Sequence, residues 1–65
     1  DLWLLVRAVR EANFYVNTIV EKGEGAAAAR LVKKRLLARA GQLYVYPTKS
    51  GFEFVGSMID SLRRM

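Results

Sequence analysis

Five cations stand within ten positions: Arg30, Lys33, Lys34, Arg35 and Arg39, with no acidic residue among them. Long cationic side chains in such density suit phosphate contacts, because neutralising phosphates releases condensed counterions. Arginine adds a fork of donors that reaches base edges in a major groove. On a helix, Arg30, Lys33 and Lys34 share one flank, and Arg35 and Arg39 share the other. The competing assignment is a solvated face whose bases complement the negative end of the helix. The phosphate assignment is preferred.

A second group is Trp3, Arg7, Arg10 and Phe14. The pairs Trp3–Arg7 and Arg10–Phe14 are four apart, a helical spacing that allows cation–π contact. Trp and Arg are enriched at the centres of protein interfaces. Aromatic groups also stack on unpaired bases. The alternative is that a later helix covers them. A third group, Tyr44, Tyr46, Lys49 and Phe52, reads by default as strand packing with Lys49 exposed at a hairpin tip.

Catalysis has little support. The chain holds no histidine and no cysteine. Imidazole acid–base chemistry, thiolate chemistry, disulfides and the common zinc sites are therefore excluded. Ser50, Ser57 and Ser61 lack a base at catalytic spacing, and the six carboxylates are scattered. Gly23-x-Gly25-x-x-Ala28 matches a dinucleotide fingerprint, but that motif needs a preceding strand and a parallel sheet. The expectation is a binding module, not an enzyme, with no cofactor.

The elements that must position these groups follow from length and pattern. With 65 residues and a net charge of +5, residues 1–65 read as one small basic domain. So small a core favours support from a second copy or a larger assembly. The positive charge favours polyanionic partners. Arg7, Arg10 and Glu11 interrupt the long apolar run, so no membrane span is expected. The lack of cysteine fits an intracellular setting, in cytoplasm, nucleoid or nucleus.

Residues 2–21 read as a first helix capped by Asp1. Its apolar face, with Leu4, Leu5, Val6, Ala8, Val9, Ala12, Tyr15, Val16, Ile19 and Val20, spans roughly 200°, more than a small monomer needs to cover. Gly23 suits the left-handed stop. Residues 25–40 read as a second helix, opened by four alanines and closed by Gly41. Residues 42–46 read as a strand and 47–51 as a turn. Residues 52–55 fit either a returning strand or the start of a helix. The preferred reading is a hairpin that gives way to a helix near Gly56. The expected fold is α+β: two helices, a β-hairpin and a C-terminal helix, dimeric or docked on a partner.

From Arg30 onward the chain resembles the second half of a winged-helix DNA-binding domain. The run Arg30 to Gly41 is similar to a recognition helix ending at glycine, and Gln42 to Tyr46 to the first wing strand. Pro47-Thr48-Lys49-Ser50-Gly51 resembles the Leu-Thr-x-x-Gly step into a last helix. The resemblance implies DNA contact by Arg30, Lys33 and Lys34 from the helix and by Lys49 from the wing. The chain departs from that family in having Gly23-Glu24-Gly25 where a short helix precedes the recognition helix, and Pro47 in place of leucine.

The expected function is nucleic-acid binding, DNA favoured over RNA, through Arg30, Lys33, Lys34, Arg35, Arg39 and Lys49. The alternative is a structural or protein-interaction subunit docked through the first helix, with Trp3, Arg7, Arg10 and Phe14 at the interface. Attachment of the second helix to a membrane surface is disfavoured, because its apolar stripe is narrow and has no Trp or Phe to insert.

Overall fold

A computed structural model describes residues 1–64. The elements run α1 (Leu2–Ala12), β1 (Thr18–Ile19), α2 (Gly25–Lys33), β2 (Leu37–Arg39), β3 (Tyr44–Pro47) and α3 (Lys49–Arg63). The strands form one antiparallel sheet in the order β1-β3-β2. Three helices and this small sheet make an α+β fold.

Both leading helices are shorter than the apolar periodicity suggests, and the cause is the same in each. After α1, the Val16 N–H donates to Glu11 O at 3.1 Å and the Tyr15 N–H to Ala12 O at 2.9 Å. After α2, the Leu36 N–H donates to Leu31 O at 3.0 Å and the Arg35 N–H to Val32 O at 2.9 Å. Each pair of bonds is a Schellman stop, which requires a left-handed residue at its turning point. Tyr15 (φ +61°) and Arg35 (φ +63°) supply it, in the place where glycine is usual. The expected first helix over 2–21 therefore ends at Ala12, and the expected second helix over 25–40 ends at Lys33.

The chain released by the first stop forms β1, a strand the periodicity hides. Thr18 pairs with Val45 and Ile19 with Tyr44. The chain released by the second stop forms β2, in which Leu37 pairs with Pro47 and Ala38 with Tyr46. The hairpin thus joins β2 to β3 across residues 40–43, with Gly41 at φ +126°. It does not join 42–46 to 52–55, as expected. Residues 52–55 are helical, because Thr48 caps a helix that already starts at Lys49. In β3 burial alternates along the strand: Val45 is buried, while Tyr44 and Tyr46, expected as packing residues, face out.

The core gathers Leu4, Leu5 and Ala8 of α1, Ala28 and Leu31 of α2, Leu37, Val45 and Val55. Ala28 lets α2 lie close to the core, since a larger side chain at this fully buried position would push the helix out. Thr18 is the buried polar member. It is 1% exposed, and its Oγ1 has no hydrogen-bond partner among the described residues. No helix among the described residues is long and apolar enough to cross a membrane.

Candidate nucleic-acid interface

The candidate cations are arranged by the joint where α2 ends and α3 begins. Arg35, turned left-handed, swings the chain out of α2 toward β2. Its carbonyl accepts the Thr48 hydroxyl at 2.6 Å, and the next carbonyl, of Leu36, accepts the Thr48 N–H at 3.1 Å. The same Thr48 Oγ1 accepts from the Gly51 N–H at 3.1 Å, an N-cap bond. Gly51 is packed on this junction so closely that a Cβ there would stand 2.1 Å from Leu36 O. Thr48-x-x-Gly51 is thus one device: the threonine caps α3 and ties it to α2, and the glycine permits the approach.

The consequence for charge is direct. Lys33 and Lys34 close α2, Arg35 follows, and Lys49 opens α3 beside the Arg35–Thr48 bond. All four are exposed. Lys33 and Lys34 sit where a helix favours cations, at its C-terminus. Lys49 sits where a helix disfavours them, in the first turn of α3, which carries no acidic residue. Lys49 belongs to this joint and not to the tip of a hairpin, where it was expected.

The remaining expected cations are placed differently. Arg30 is engaged, its Nε and Nη2 donating to the Asp1 carboxylate at 2.6 and 2.7 Å. That carboxylate makes no cap bond to α1, although Asp1 occupies the N-cap position. Arg39 lies at the far end of β2, opposite Val45 and toward the hairpin tip. The five cations of the sequence run therefore do not share a helix: Arg30 and Lys33 are helical, Lys34 caps, Arg35 turns, and Arg39 ends a strand. Among the described residues only two ion pairs form, Arg7–Glu24 and Arg30–Asp1. Lys33, Lys34, Arg35, Lys49 and Arg39 take part in neither.

The second expected group divides as well. Arg7 turns inward and clamps the loop before α2. Its Nη1 and Nη2 donate to the two Glu24 carboxylate oxygens at 3.0 and 2.6 Å, and Nη2 also donates to Ile19 O at 3.0 Å. The hydrogen bonds from Arg7, and then that from the Glu21 N–H, hold the Glu24 carboxyl below its usual range. The bonds to Glu24 raise the Arg7 guanidinium further. Arg7 is thus a structural clamp more than an interface group.

Phe14 falls inside the Schellman stop after α1, just before the left-handed Tyr15, and is 75% exposed. Trp3 is 83% exposed, not covered by α3. It lines a shallow pocket with Val6, Arg7 and Arg10. Trp3 also borders an apolar groove between α1 and α3, lined by Leu2, Val6, Val55, Met58, Ile59 and Leu62. The groove escaped the sequence reading, although the spacing of Val55, Met58, Ile59 and Leu62 marks the helix face that forms its wall.

No family model, curated protein or solved structure matches this chain.

Proposed function

We propose that the protein is a nucleic-acid-binding module that grips phosphates at the α2–α3 joint, with duplex DNA favoured over RNA. The observation that carries this reading is the joint itself. Thr48 is bonded to Arg35, so Lys49 follows that bond by one residue and Lys34 and Lys33 precede it by one and two, and none of the four is paired with a carboxylate among the described residues. The positive end of α3 adds its partial charge to the same corner, so a phosphate there relieves repulsion as well as gaining contacts.

The order of elements supports the reading. A helix, an antiparallel hairpin and a terminal helix follow one another, and the third strand inserts between the other two. A winged-helix domain shares this plan, with one more helix before the one that meets DNA. The exposed start of α2 offers Ala26 and Ala29, which have no reach toward base edges. Binding is therefore expected to be indifferent to sequence, since phosphate contacts position a protein without reading bases.

Fluorescence anisotropy with a labelled duplex at several salt concentrations tests this. Three or four phosphate contacts give a log–log slope of roughly −3 to −4 against salt. The double variant K33E/K34E weakens binding to all sequences alike and flattens that slope by about two. Affinity that ignores both salt and the double variant removes the proposal.

A second reading, docking to another protein through α1, is favoured by one observation: the exposed Trp3 beside the apolar groove.

A further inference from the structure

Seven residues of α1 and α3 line a groove of about 350 Å³, and every one of them is apolar or aromatic. Its floor is Val6 and the buried Val55; its edges are Leu2, Trp3, Ile59 and Leu62, all exposed. Four large apolar side chains in one concave strip form a patch of the kind that marks a binding surface, unlike scattered single exposures.

The rim is cationic. Arg10 shares the adjoining pocket with Trp3 and Val6. Arg63 follows Ile59 by four residues in α3, so it stands on the same side one turn further on. The nearer cation, Arg7, is already neutralised by Glu24. The carboxylates of α3, Glu53 and Asp60, fall more than 90° around the helix from the Val55–Ile59–Leu62 face at about 100° per residue.

We propose that this groove receives an amphipathic helix of another protein, one whose apolar face is flanked by carboxylates. Three observations select that occupant. The walls are two helices whose backbone bonds are internal, so an incoming segment finds no main-chain partner and must satisfy its own, as a helix does. The apolar lining calls for side chains spaced along one helical face, at i, i+3 or i+4, and i+7. The rim arginines, which form no ion pair among the described residues, on a chain of net charge +5, call for acids beside that face.

A second copy of this chain fits less well. Symmetric pairing through the groove brings the rim arginines of both copies, and no rim acid of α3, to one seam. An anionic bilayer also attracts arginines, but interfacial attachment uses a protruding apolar face and this one is concave.

Trp3 is the only tryptophan, so its emission reports the groove without a label. The full chain is titrated with a synthetic helical peptide that carries leucines at the stated spacing and glutamates on both flanks. Control titrations use the same peptide with lysines for glutamates, vesicles of mixed anionic and zwitterionic phospholipid, and the chain alone over a range of concentrations. A saturable blue shift with the glutamate peptide is expected, with none for the lysine peptide. The shift is expected to vanish in I59E and to need roughly tenfold more peptide in R10E/R63E, since reversed rim charges slow encounter and repel the flanking acids. Ile59 is an exposed position, so circular dichroism should show I59E folded.

Equal shifts with both peptides overturn the acidic partner. A shift with vesicles alone makes the surface a membrane contact. A shift on concentrating the chain alone makes it a self-association face. The absence of any shift with the glutamate peptide ends the proposal. None of these outcomes bears on the α2–α3 joint, which lies on other residues.

Discussion

The two ends of α3 are held in opposite ways. At its start, Thr48 makes two bonds to the α2 exit and one to Gly51, and Gly51 touches backbone. Toward its finish, Val55 alone is buried, while Ile59 and Leu62 stand open beside α1. The first end is fixed by directed polar contacts that leave no slack. The second is a half-covered apolar face with room for something more. The difference separates two tasks: a rigid corner can hold cations in register, whereas an open groove can accept a segment that brings its own structure.

The sharpest break in this contrast is Gly51→Ala. A methyl group 2.1 Å from Leu36 O meets backbone, not a flexible side chain, so the corner must open. A loss of more than about 3 kcal/mol is expected, the range of severe overpacking. Urea unfolding measures it. A loss under about 1 kcal/mol would mean that the corner gives way easily, and the rigid half of the comparison would fall.

Thr48→Ala comes next. It removes the cap to Gly51 N–H and the hydroxyl bond to Arg35 O while leaving the Thr48 backbone bond to Leu36 in place. A cost of about 1–2 kcal/mol is expected for a lost cap and one further bond. Nucleic-acid affinity should fall as well, although no charge has changed, because Lys49 is then less firmly set beside Arg35. Thr48→Ser restores both bonds and should restore both properties.

The Arg7–Glu24 clamp gives a pH signature at the α1 side. The folded Glu24 carboxyl is held below its ordinary value, so its contribution is complete above the ordinary glutamate range. It is lost as pH falls through the lowered folded value. The effect is at most about 1 kcal/mol, since both side chains keep about a quarter of their surface in solvent. Thermal unfolding of Glu24→Gln should lie below the parent at neutral pH and converge with it in acid. Parallel curves at every pH would show that the charge of Glu24 is not what matters.

How much was legible in the sequence turns on particular backbone positions. The α+β class, the capacity of Val45 for the core and the helix through Val55, Met58, Ile59 and Leu62 all follow from side-chain period. The two helix ends do not. Glycine is the usual sign of a left-handed stop, and Gly23 and Gly41 drew the expected ends to them. The chain instead stops at Tyr15 and Arg35, which no propensity marks for positive φ. Because both stops come early, β1 and β2 lie hidden inside periodic runs, and the cation run, which the period sets on two flanks of one helix, leaves that helix after Lys33.

The Thr48-x-x-Gly51 step was recognised by resemblance, but its physical role, a tie to α2, needs the fold. Arg35→Gly tests the stop directly. Removing the left-handed strain should raise stability by about 0.5 kcal/mol, the strain relieved being partly offset by the greater freedom of glycine when unfolded. Nucleic-acid affinity should fall by one phosphate contact, so stability and binding should move in opposite directions.

The smallest effect is expected in the open half, and it is as informative as the largest. Leu62 is 65% exposed at the groove edge. Leu62→Gln therefore removes little buried area and should shift stability by less than about 0.5 kcal/mol, as surface substitutions do. The same change sets an amide where an apolar partner residue would sit, so it should weaken the glutamate peptide severalfold while leaving duplex binding unchanged. A destabilisation above about 1 kcal/mol would place Leu62 inside the folding core in solution. In that case α1 and α3 would close over the groove, and both ends of α3 would be fixed alike.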